Sequence, residues 1–289
     1  MPQFLNTADA DFEAAFTALL GMKREDSPDV DATVAAIIAD VRARGDAAVI
    51  ELTAKFDRLQ LTPQTMAFTP GEIAAEVAKV SPEDRAALEL AADRIRAYHA
   101  RQMPEDAMWQ DASGATLGWR WTPVSAAGLY VPGGLASYPS SVLMNAIPAK
   151  VAGVKRLAIA CPTPGGVVNP LVLLAAQLAG VDVIYRIGGA QAVAALAYGT
   201  ETVQPVDKIT GPGNAFVAAA KRRVFGKVGI DMIAGPSEIL VIADGDTDPD
   251  WIALDLLSQA EHDESAQSIL VTPDAGFASA VARAVEKRL

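Results

Sequence analysis

Cysteine and histidine are scarce in this sequence, whose 289 residues include one cysteine, Cys161, and two histidines, His99 and His262. A single cysteine excludes an intrachain disulfide and every zinc site built on several cysteines. With only two histidines, a closed zinc site of protein side chains would need several carboxylates, whereas an open site that takes the substrate as a ligand needs fewer protein donors. Cys161 lies in the apolar run RLAIACP, which predicts a buried thiol on a strand.

Basic residues are also in the minority, since 24 Lys and Arg stand against 35 Asp and Glu and the formal net charge is −11. Nucleic acids and anionic membranes bind basic faces, so neither is an expected partner. No apolar run approaches the roughly 18 residues that a membrane span requires. The acidic first residues lack the basic and apolar regions of a secretory signal, and we therefore expect a cytoplasmic protein.

The first 120 residues carry mostly helical patterns. The run DATVAAIIADVRARGDAAVIELTAKFD predicts two helices that are separated at Gly45. Two further helices are predicted at TPGEIAAEVAKV and SPEDRAALELAADRIRAYHARQ, because each begins with a Thr or Ser cap followed by proline. The alternating run GATLGWRWTPV, which contains Trp119 and Trp121, predicts a strand or hairpin near an interface.

From about Ala127 onward, short apolar strands alternate with glycine turns and helices. The predicted strands are GLYV, RLAIAC, VDVIYRI, VDKIT, EILVIAD and SILVT. This alternation is typical of parallel βαβ units, so we expect an α/β fold with parallel-rich sheets. The last segment, DAGFASAVARAVEKRL, begins a helix after a strand and stops without a C-cap signal, which we interpret as a chain cut short.

Glycine turns mark the candidate ligand crevice. The sequence contains neither G-x-G-x-x-G nor a P-loop motif, but it has glycine turns at the ends of predicted strands: YVPGG, IGGAQ, TGPGN and AGPSE. Loops at the carboxyl ends of parallel strands bind ligands in α/β sheets. The GPGN turn opens a helix at Asn214, where backbone N–H groups could meet a phosphate. Each turn also has a purely geometric explanation, and only the set favours a crevice.

The run LDLLSQAEHDESAQ places Gln259 three residues before His262 on a predicted helix. Residues at this spacing share one helix face, so a metal ion could bridge the two side chains. A carboxamide oxygen is an unusual zinc ligand, however. A solvated helix end, with His262 placed favourably by the helix dipole, accounts for the spacing as well. The spacing alone leaves both interpretations open.

Longer blocks of the sequence resemble the histidinol dehydrogenase family. The segment IDMIAGPSEILVIADGDTDPDWIALDLLSQAEHD is similar to the family's signature, and GLYVPGGLASYPSSVLMNAIPAKVAGV and GPGNAFVAAAKRRVFG are similar to its other strong blocks. The resemblance extends over essentially the whole chain. It implies a zinc-dependent, NAD-linked, four-electron oxidation of L-histidinol to L-histidine through histidinaldehyde, the last step of histidine biosynthesis.

The resemblance also implies roles for particular residues. Matched to the family's motifs, Gln259 and His262 are zinc ligands that also hold the substrate, and Ser237 is a substrate contact. The implied NAD contacts are Tyr130, Gln191 and Asn214. In the family, the remaining zinc ligands and the Glu-His pair proposed for proton abstraction lie beyond the position of Leu289. No catalytic base is therefore implied within the chain, and we expect the chain by itself to be inactive.

The family's fold implies two incomplete Rossmann-like domains with parallel-rich sheets, one inserted in the other, and an N-terminal helical arm, in an intertwined homodimer. Transferred to this sequence, the arm is 1–24, the first domain is 25–129 with 238–289, and the inserted domain is 130–237. Two alternatives stay open. One is a related NAD-dependent polyol or sulfopolyol dehydrogenase, and the other is a non-catalytic metal- or nucleotide-binding module.

Overall fold

A computed structural model of the chain describes residues 2–21, 28–133, 138–233, 237–261 and 266–289. The chain divides into two compact units, a larger one of residues 28–234 and a smaller one of residues 1–27 and 235–289. In chain order the elements are α1 (Phe12–Gly21), α2 (Pro28–Arg44), α3 (Asp46–Asp57), α4 (Pro70–Val77), α5 (Pro82–Ala100), β1 (Ala107–Gln110), β2 (Thr116–Trp119), β3 (Ala126–Tyr130), α6 (Pro139–Val151), β4 (Arg156–Ala160), a 3₁₀ turn (Pro164–Gly166), α7 (Pro170–Leu178), β5 (Val183–Tyr185), α8 (Gly189–Tyr198), β6 (Lys208–Thr210), α9 (Ala215–Val224), β7 (Gly229–Ile230), β8 (Glu238–Ile242), α10 (Pro249–Ala260), β9 (Gln267–Val271) and α11 (Ala275–Glu286).

A five-stranded parallel sheet organises the larger unit, with the strand order β5-β4-β3-β6-β7. In the register of its central strand, Leu129 lies opposite Ile159 of β4 and opposite Thr210 of β6. The chain builds the sheet outward from β3 in one direction through β4 and β5, and then returns to place β6 on the other side of β3. This reversal is the strand order of a Rossmann-type half-sheet.

Helices cover both faces of this sheet, which is why its central strands are mostly apolar. Successive residues of β3 point to opposite faces. Ala126 and Tyr130 join a core formed with α2, α3, α8 and α9. Ala127 and Leu129 join a second core formed with α4, α5, α6 and α7. The predicted α/β fold with a parallel-rich sheet is confirmed.

Local sequence signals account for the helix boundaries. α2 ends at Arg44 and α3 begins at Asp46, as predicted, and Gly45 between them has a φ of 57°. Thr69 forms a capping box with Glu72 ahead of Pro70, and Ser81 caps α5 through the backbone N–H of Asp84. The run GATLGWRWTPV, predicted as a strand or hairpin, contains the strand β2, which pairs antiparallel with β1 just before the run.

The smaller unit contains α1 and a parallel pair of strands, β8 and β9. α10 and α11 pack on one face of this pair around Ile252, Phe277 and Val281. Leu240 and Ile242 point away from that core and are exposed. The predicted strands EILVIAD and SILVT and the helix between them are therefore confirmed.

The predicted domain boundaries stay a prediction, although helices α2–α5 lie in the same compact unit as the five-stranded sheet. The helical character of the first hundred residues is confirmed. Within the described ranges, no helix is both long enough and apolar enough to cross a membrane.

Candidate functional site

The candidate crevice lies at the carboxyl edge of the five-stranded sheet, where β3 and β6 are neighbours. The connections that leave these two strands run in opposite directions along the sheet. Such a reversal opens a crevice outside the carboxyl ends of the two strands, and ligands of α/β proteins bind there. Three of the predicted glycine turns, YVPGG, IGGAQ and TGPGN, follow β3, β5 and β6 and meet at this edge; residues 134–137, which include the last glycine of YVPGG, lie outside the described residues.

Tyr130 is the last residue of β3 and is 5% exposed. Its hydroxyl oxygen accepts a hydrogen bond from the backbone N–H of Gly189 at 3.0 Å. Burial raises the pKa of Tyr130 to about 12, the Gly189 N–H opposes the shift, and the carboxylate of Asp57 adds to it. The phenol is therefore neutral and keeps its proton at neutral pH.

Gln191 lies in the first turn of α8, two residues after Gly189, and is 2% exposed. The Tyr130–Gly189 hydrogen bond therefore brings these two predicted residues to the same place. Asn214 is the N-cap of α9, where its Oδ1 accepts the backbone N–H of Val217 at 3.2 Å. Asn214 is exposed at the mouth of the turn that follows β6. All three predicted nucleotide contacts thus belong to one sheet edge, and their contacts with NAD stay a prediction.

Gly211 joins the turn after β6 to the end of β3. A Cβ at this position would lie 2.1 Å from the carbonyl oxygen of Tyr130, and the residue has a φ of 115°. Every side chain larger than hydrogen is therefore excluded by contact and by backbone conformation together. The close approach sets the distance between the two strand ends that form the crevice.

An ion pair between a buried lysine and a partly exposed aspartate holds the backbone of Gly211. Lys221 of α9 is 3% exposed, pairs with Asp231, and donates to the carbonyl of Gly211 at 3.0 Å. Asp231 accepts the backbone N–H of Gly211 at 2.8 Å. Burial acts to raise the pKa of Asp231, but Lys221 and the N–H groups of Gly211 and Met232 together hold that pKa below its ordinary value. Both polar groups of the Gly211 backbone are thereby satisfied.

The turn after β4 closes the other side of the crevice. A Cβ on Gly133 would lie 2.1 Å from the carbonyl oxygen of Pro162, and one on Gly188 would lie 2.5 Å from Cβ of Pro162. The turns after β3, β4 and β5 therefore pack directly on one another. A cleft of about 550 Å³, lined largely by apolar side chains that include Phe68 and Ile184, opens beside this turn.

Cys161 lies in the same turn, one residue after β4, and is buried as predicted. Burial raises the pKa of its thiol to about 12, so the group stays protonated at neutral pH. Only the thiolate is a good nucleophile or metal ligand. Cys161 therefore packs as a small apolar side chain.

The second group of predicted residues belongs to the smaller unit. Gln259 is half-buried in the last turn of α10, whereas His262 lies outside the described residues. Ser237 directly precedes β8, and its carbonyl accepts the backbone N–H of Gln267 at the start of β9 at 3.0 Å. Because α10 runs back from the carboxyl end of β8 to the start of β9, Gln259 and Ser237 lie at the same, amino-terminal edge of this strand pair. Among the described residues, no three His, Cys, Asp or Glu side chains form a metal-binding group.

One prediction about the glycine turns is wrong. AGPSE was expected with the other three at the carboxyl edge of one sheet, but its described residues, Ser237 and Glu238, lead into the amino end of β8 in a different sheet. A glycine turn signals a change of chain direction and does not distinguish a turn that leaves a strand from one that enters it.

The sequence patterns also missed three charged residues at the crevice: Lys221, Asp231 and Asp57. Lys221 lies in the basic run AKRRVFG, yet it is almost fully buried. Its position four residues after Val217 and three before Val224, both buried, is the signal that could have identified it. Asp57 ends α3 and carries no comparable signal in the sequence.

A family profile and individual relatives both match this chain, and they indicate the same family. The profile of the histidinol dehydrogenase family matches residues 21–289. The chain is 82% identical to the histidinol dehydrogenase of Cereibacter sphaeroides and 80% identical to that of Ruegeria pomeroyi, in each case over all 289 residues and 67% of the relative's length.

A solved structure agrees with these relatives. The crystal structure of histidinol dehydrogenase from Elizabethkingia anophelis is 40% identical, with a TM-score of 0.82 over 91% of this chain and 61% of that one. The chain thus spans about two thirds of the length of its curated relatives. The profile match over 269 of 289 residues (21–289) and the sequence identities together establish that this chain belongs to the histidinol dehydrogenase family.

Proposed function

We propose that this chain carries the nucleotide-binding sheet and the zinc helix of an enzyme that oxidises L-histidinol to L-histidine through histidinaldehyde, with NAD as the oxidant. The observation that carries the proposal is the 82% identity to the Cereibacter sphaeroides histidinol dehydrogenase over the full 289 residues. The geometry of the sheet edge supports it, because the residues matched to NAD contacts gather where an α/β sheet binds its ligands.

The carboxyl edge of the sheet fits a dinucleotide. Gly133, Gly188 and Gly211 bring the backbone close to neighbouring turns at positions where a side chain would collide. Backbone N–H groups at the start of α9 suit a phosphate, and the apolar cleft beside Pro162 is large enough for a heterocyclic base. Tyr130 and Gln191 would orient the nucleotide from the buried side, and NAD would supply the hydride acceptor.

The donor set for zinc fits an open site only. Gln259 offers a carboxamide oxygen at the end of α10, and His262 follows it three residues later in the sequence. Both donors are neutral, and two donors leave positions for the substrate and for further protein ligands. When bound, zinc would hold and orient the amino alcohol. Ser237, at the same edge of the β8–β9 pair, would contact the substrate.

No general base is proposed within these 289 residues. The four-electron oxidation needs a proton acceptor at the substrate hydroxyl, and the Glu-His pair that the family resemblance implies for this role lies beyond the position of Leu289. The relatives have a further third of sequence that this chain does not cover. We therefore expect residues 1–289 alone to be inactive. We further propose that the completed protein is a homodimer, without nucleic-acid or membrane partners.

The test compares two proteins: residues 1–289, and the same residues extended by the segment of the Cereibacter sphaeroides relative that they leave uncovered. Zinc-dependent formation of NADH from L-histidinol is measured for both. We expect turnover only in the extended protein. Turnover in neither protein would reject histidinol as the substrate. Turnover in the short chain would show that residues 1–289 already contain the base.

A matched pair of variants tests the zinc helix. Gln259→Ala in the extended protein should lower the zinc content measured by inductively coupled plasma mass spectrometry. The control Gln110→Ala removes an exposed carboxamide from the β1–β2 hairpin and should leave the zinc content unchanged. Equal zinc contents in the two variants would contradict the role of Gln259.

A further inference from the structure

The sheet lacks the carboxylate that NAD-binding sheets use. In Rossmann-type domains, an Asp or Glu about 20 residues after the first glycine turn accepts a hydrogen bond from the ribose. Here the first such turn follows Tyr130, and the sequence has no acidic residue between Asp111 and Asp182. Neither β3, β4 nor the turns that leave their carboxyl ends can therefore supply this group. A carboxylate that serves the ribose must come from another element at the same edge.

Asp57 is placed to supply it. It is the last residue of α3, and a Cβ built on Gly166 would lie 3.8 Å from Cδ1 of Leu59, so the segment after Asp57 packs on the turn that follows β4. Its carboxylate also acts electrostatically on the hydroxyl of Tyr130, where burial is the main cause of the raised pKa. Asp57 thus reaches the crevice from the helical layer rather than from a strand end.

The backbone at this point is strained. Arg58, directly after Asp57, has φ 53° and ψ 36°, and it is the one non-glycine residue with positive φ in the part of the chain that the structure describes. A left-handed conformation is costly for a residue with a Cβ, and such strain concentrates at ligand sites. The conformation ends α3 abruptly and fixes the position of the carboxylate beside the turn.

The carboxylate itself is not satisfied. Oδ2 of Asp57 is buried without a hydrogen-bond partner among the described residues, and so is the hydroxyl of Thr53 one helical turn earlier. Burial raises the pKa of Asp57 above its ordinary value, and a helix C-terminus also disfavours a negative charge. A buried acceptor that lacks a donor destabilises the free protein. A ligand hydroxyl would supply that donor.

We propose that Asp57 accepts hydrogen bonds from the ribose hydroxyls of NAD and discriminates against NADP. The proposal rests on the proposed nucleotide site at the carboxyl edge. In NADP a phosphate replaces the proton of a ribose hydroxyl, so the hydrogen-bond donor to Asp57 is lost. The phosphate would also place negative charge next to the carboxylate. Arg58 is adjacent, so removal of the carboxylate would leave a cation that suits such a phosphate.

The test is fluorescence titration of residues 1–289 with NADH and with NADPH, for the wild type, Asp57→Asn and Glu51→Gln. Asp57→Asn should weaken NADH binding by about tenfold or more, the loss expected for one hydrogen bond to a charged group, and should leave NADPH binding unchanged or tighter. Glu51→Gln removes an equal charge from the same helix, where the carboxylate is 69% exposed, and should change neither affinity.

A second measurement separates a ligand-binding role from a structural one. Without nucleotide, Asp57→Asn should raise the melting temperature, because it removes an unsatisfied buried charge. A lower melting temperature together with equal losses for both nucleotides would assign Asp57 to the scaffold and overturn the inference. Unchanged selectivity in a variant that binds NADH would overturn it too. A wild type that binds neither nucleotide would instead reject the nucleotide site, and this inference with it.

Discussion

Replacement of Lys221 by methionine tests whether its ion pair with Asp231, next to Gly211, stabilises the larger unit. Lys221→Met keeps the length and the apolar stem of the side chain, so packing around α9 is preserved. It removes the charge that faces Asp231 and the hydrogen bond to the carbonyl of Gly211. Because Lys221 and Asp231 both bond the backbone of Gly211, the substitution also loosens the turn after β6 that lines the crevice.

The expected loss follows from the burial of the two partners. Breaking a fully buried ion pair costs about 3–5 kcal/mol, mostly because the remaining charge is left unpaired. Here the Lys221 side chain is 4% exposed, but that of Asp231 is 30% exposed and Asp231 keeps the N–H of Gly211. Water and this N–H stabilise the orphaned carboxylate, so we expect the free energy of unfolding to fall by about 2–3 kcal/mol.

The measurement is urea unfolding monitored by circular dichroism, for the wild type, Lys221→Met, Asp231→Asn and the double variant. The double variant should lose less free energy of unfolding than the two single variants lose together, by about 1 kcal/mol or more. The pKa of folded Asp231 is lowered, so its contribution is present above the unfolded value near 3.9 and is lost as the pH falls through the lower folded value. The difference between wild type and Lys221→Met should therefore narrow below about pH 4. A single-variant loss under about 0.5 kcal/mol, which is typical of exposed pairs, would refute the reasoning.

Three further outcomes are expected. Gly211→Ala should abolish NADH binding and destabilise far more than Gly226→Ala, because both glycines have positive φ but only Gly211 lacks space for a Cβ; equal losses in urea would contradict this. Thr69→Ala should cost about 1 kcal/mol through the capping box of α4, again read from urea unfolding. The pKa of Glu72 is lowered to about 2, mainly by the backbone N–H of Thr69 and next by Arg186. Glu72 therefore stabilises the fold above pH 4.5, and this stabilisation is lost as the pH falls towards 2. A Glu72→Gln variant should lack that pH dependence of the melting temperature.

Much of the fold could be predicted because local signals and the global arrangement agree. The Thr69-Pro70 and Ser81-Pro82 pairs specify helix starts, and they form the caps that the sequence predicts. The four apolar strands from GLYV to VDKIT needed burial on both faces, which a parallel sheet covered by helices provides. The glycine turns then located the crevice, since consecutive parallel strands all end at one edge.

The rest depends on contacts between residues that are far apart in sequence. Asp57 and Tyr130 are 73 positions apart (57 to 130), and no pattern in either segment announces that they interact. The burial of Lys221 depends on Asp231 and Gly211 lying behind α9, which only the register of β6 and β7 decides. The placement of Ser237 at the amino end of β8 required knowledge of which sheet that strand joins.

The ties among the strand ends have a thermodynamic consequence for ligand capture. Tyr130 is bonded to Gly189, its carbonyl rests against Gly211, and Gly211 is held by Lys221. These segments are already in one arrangement before a nucleotide arrives, so binding loses little conformational entropy there. Most of the unfavourable entropy of nucleotide binding should therefore come from immobilising the dinucleotide itself.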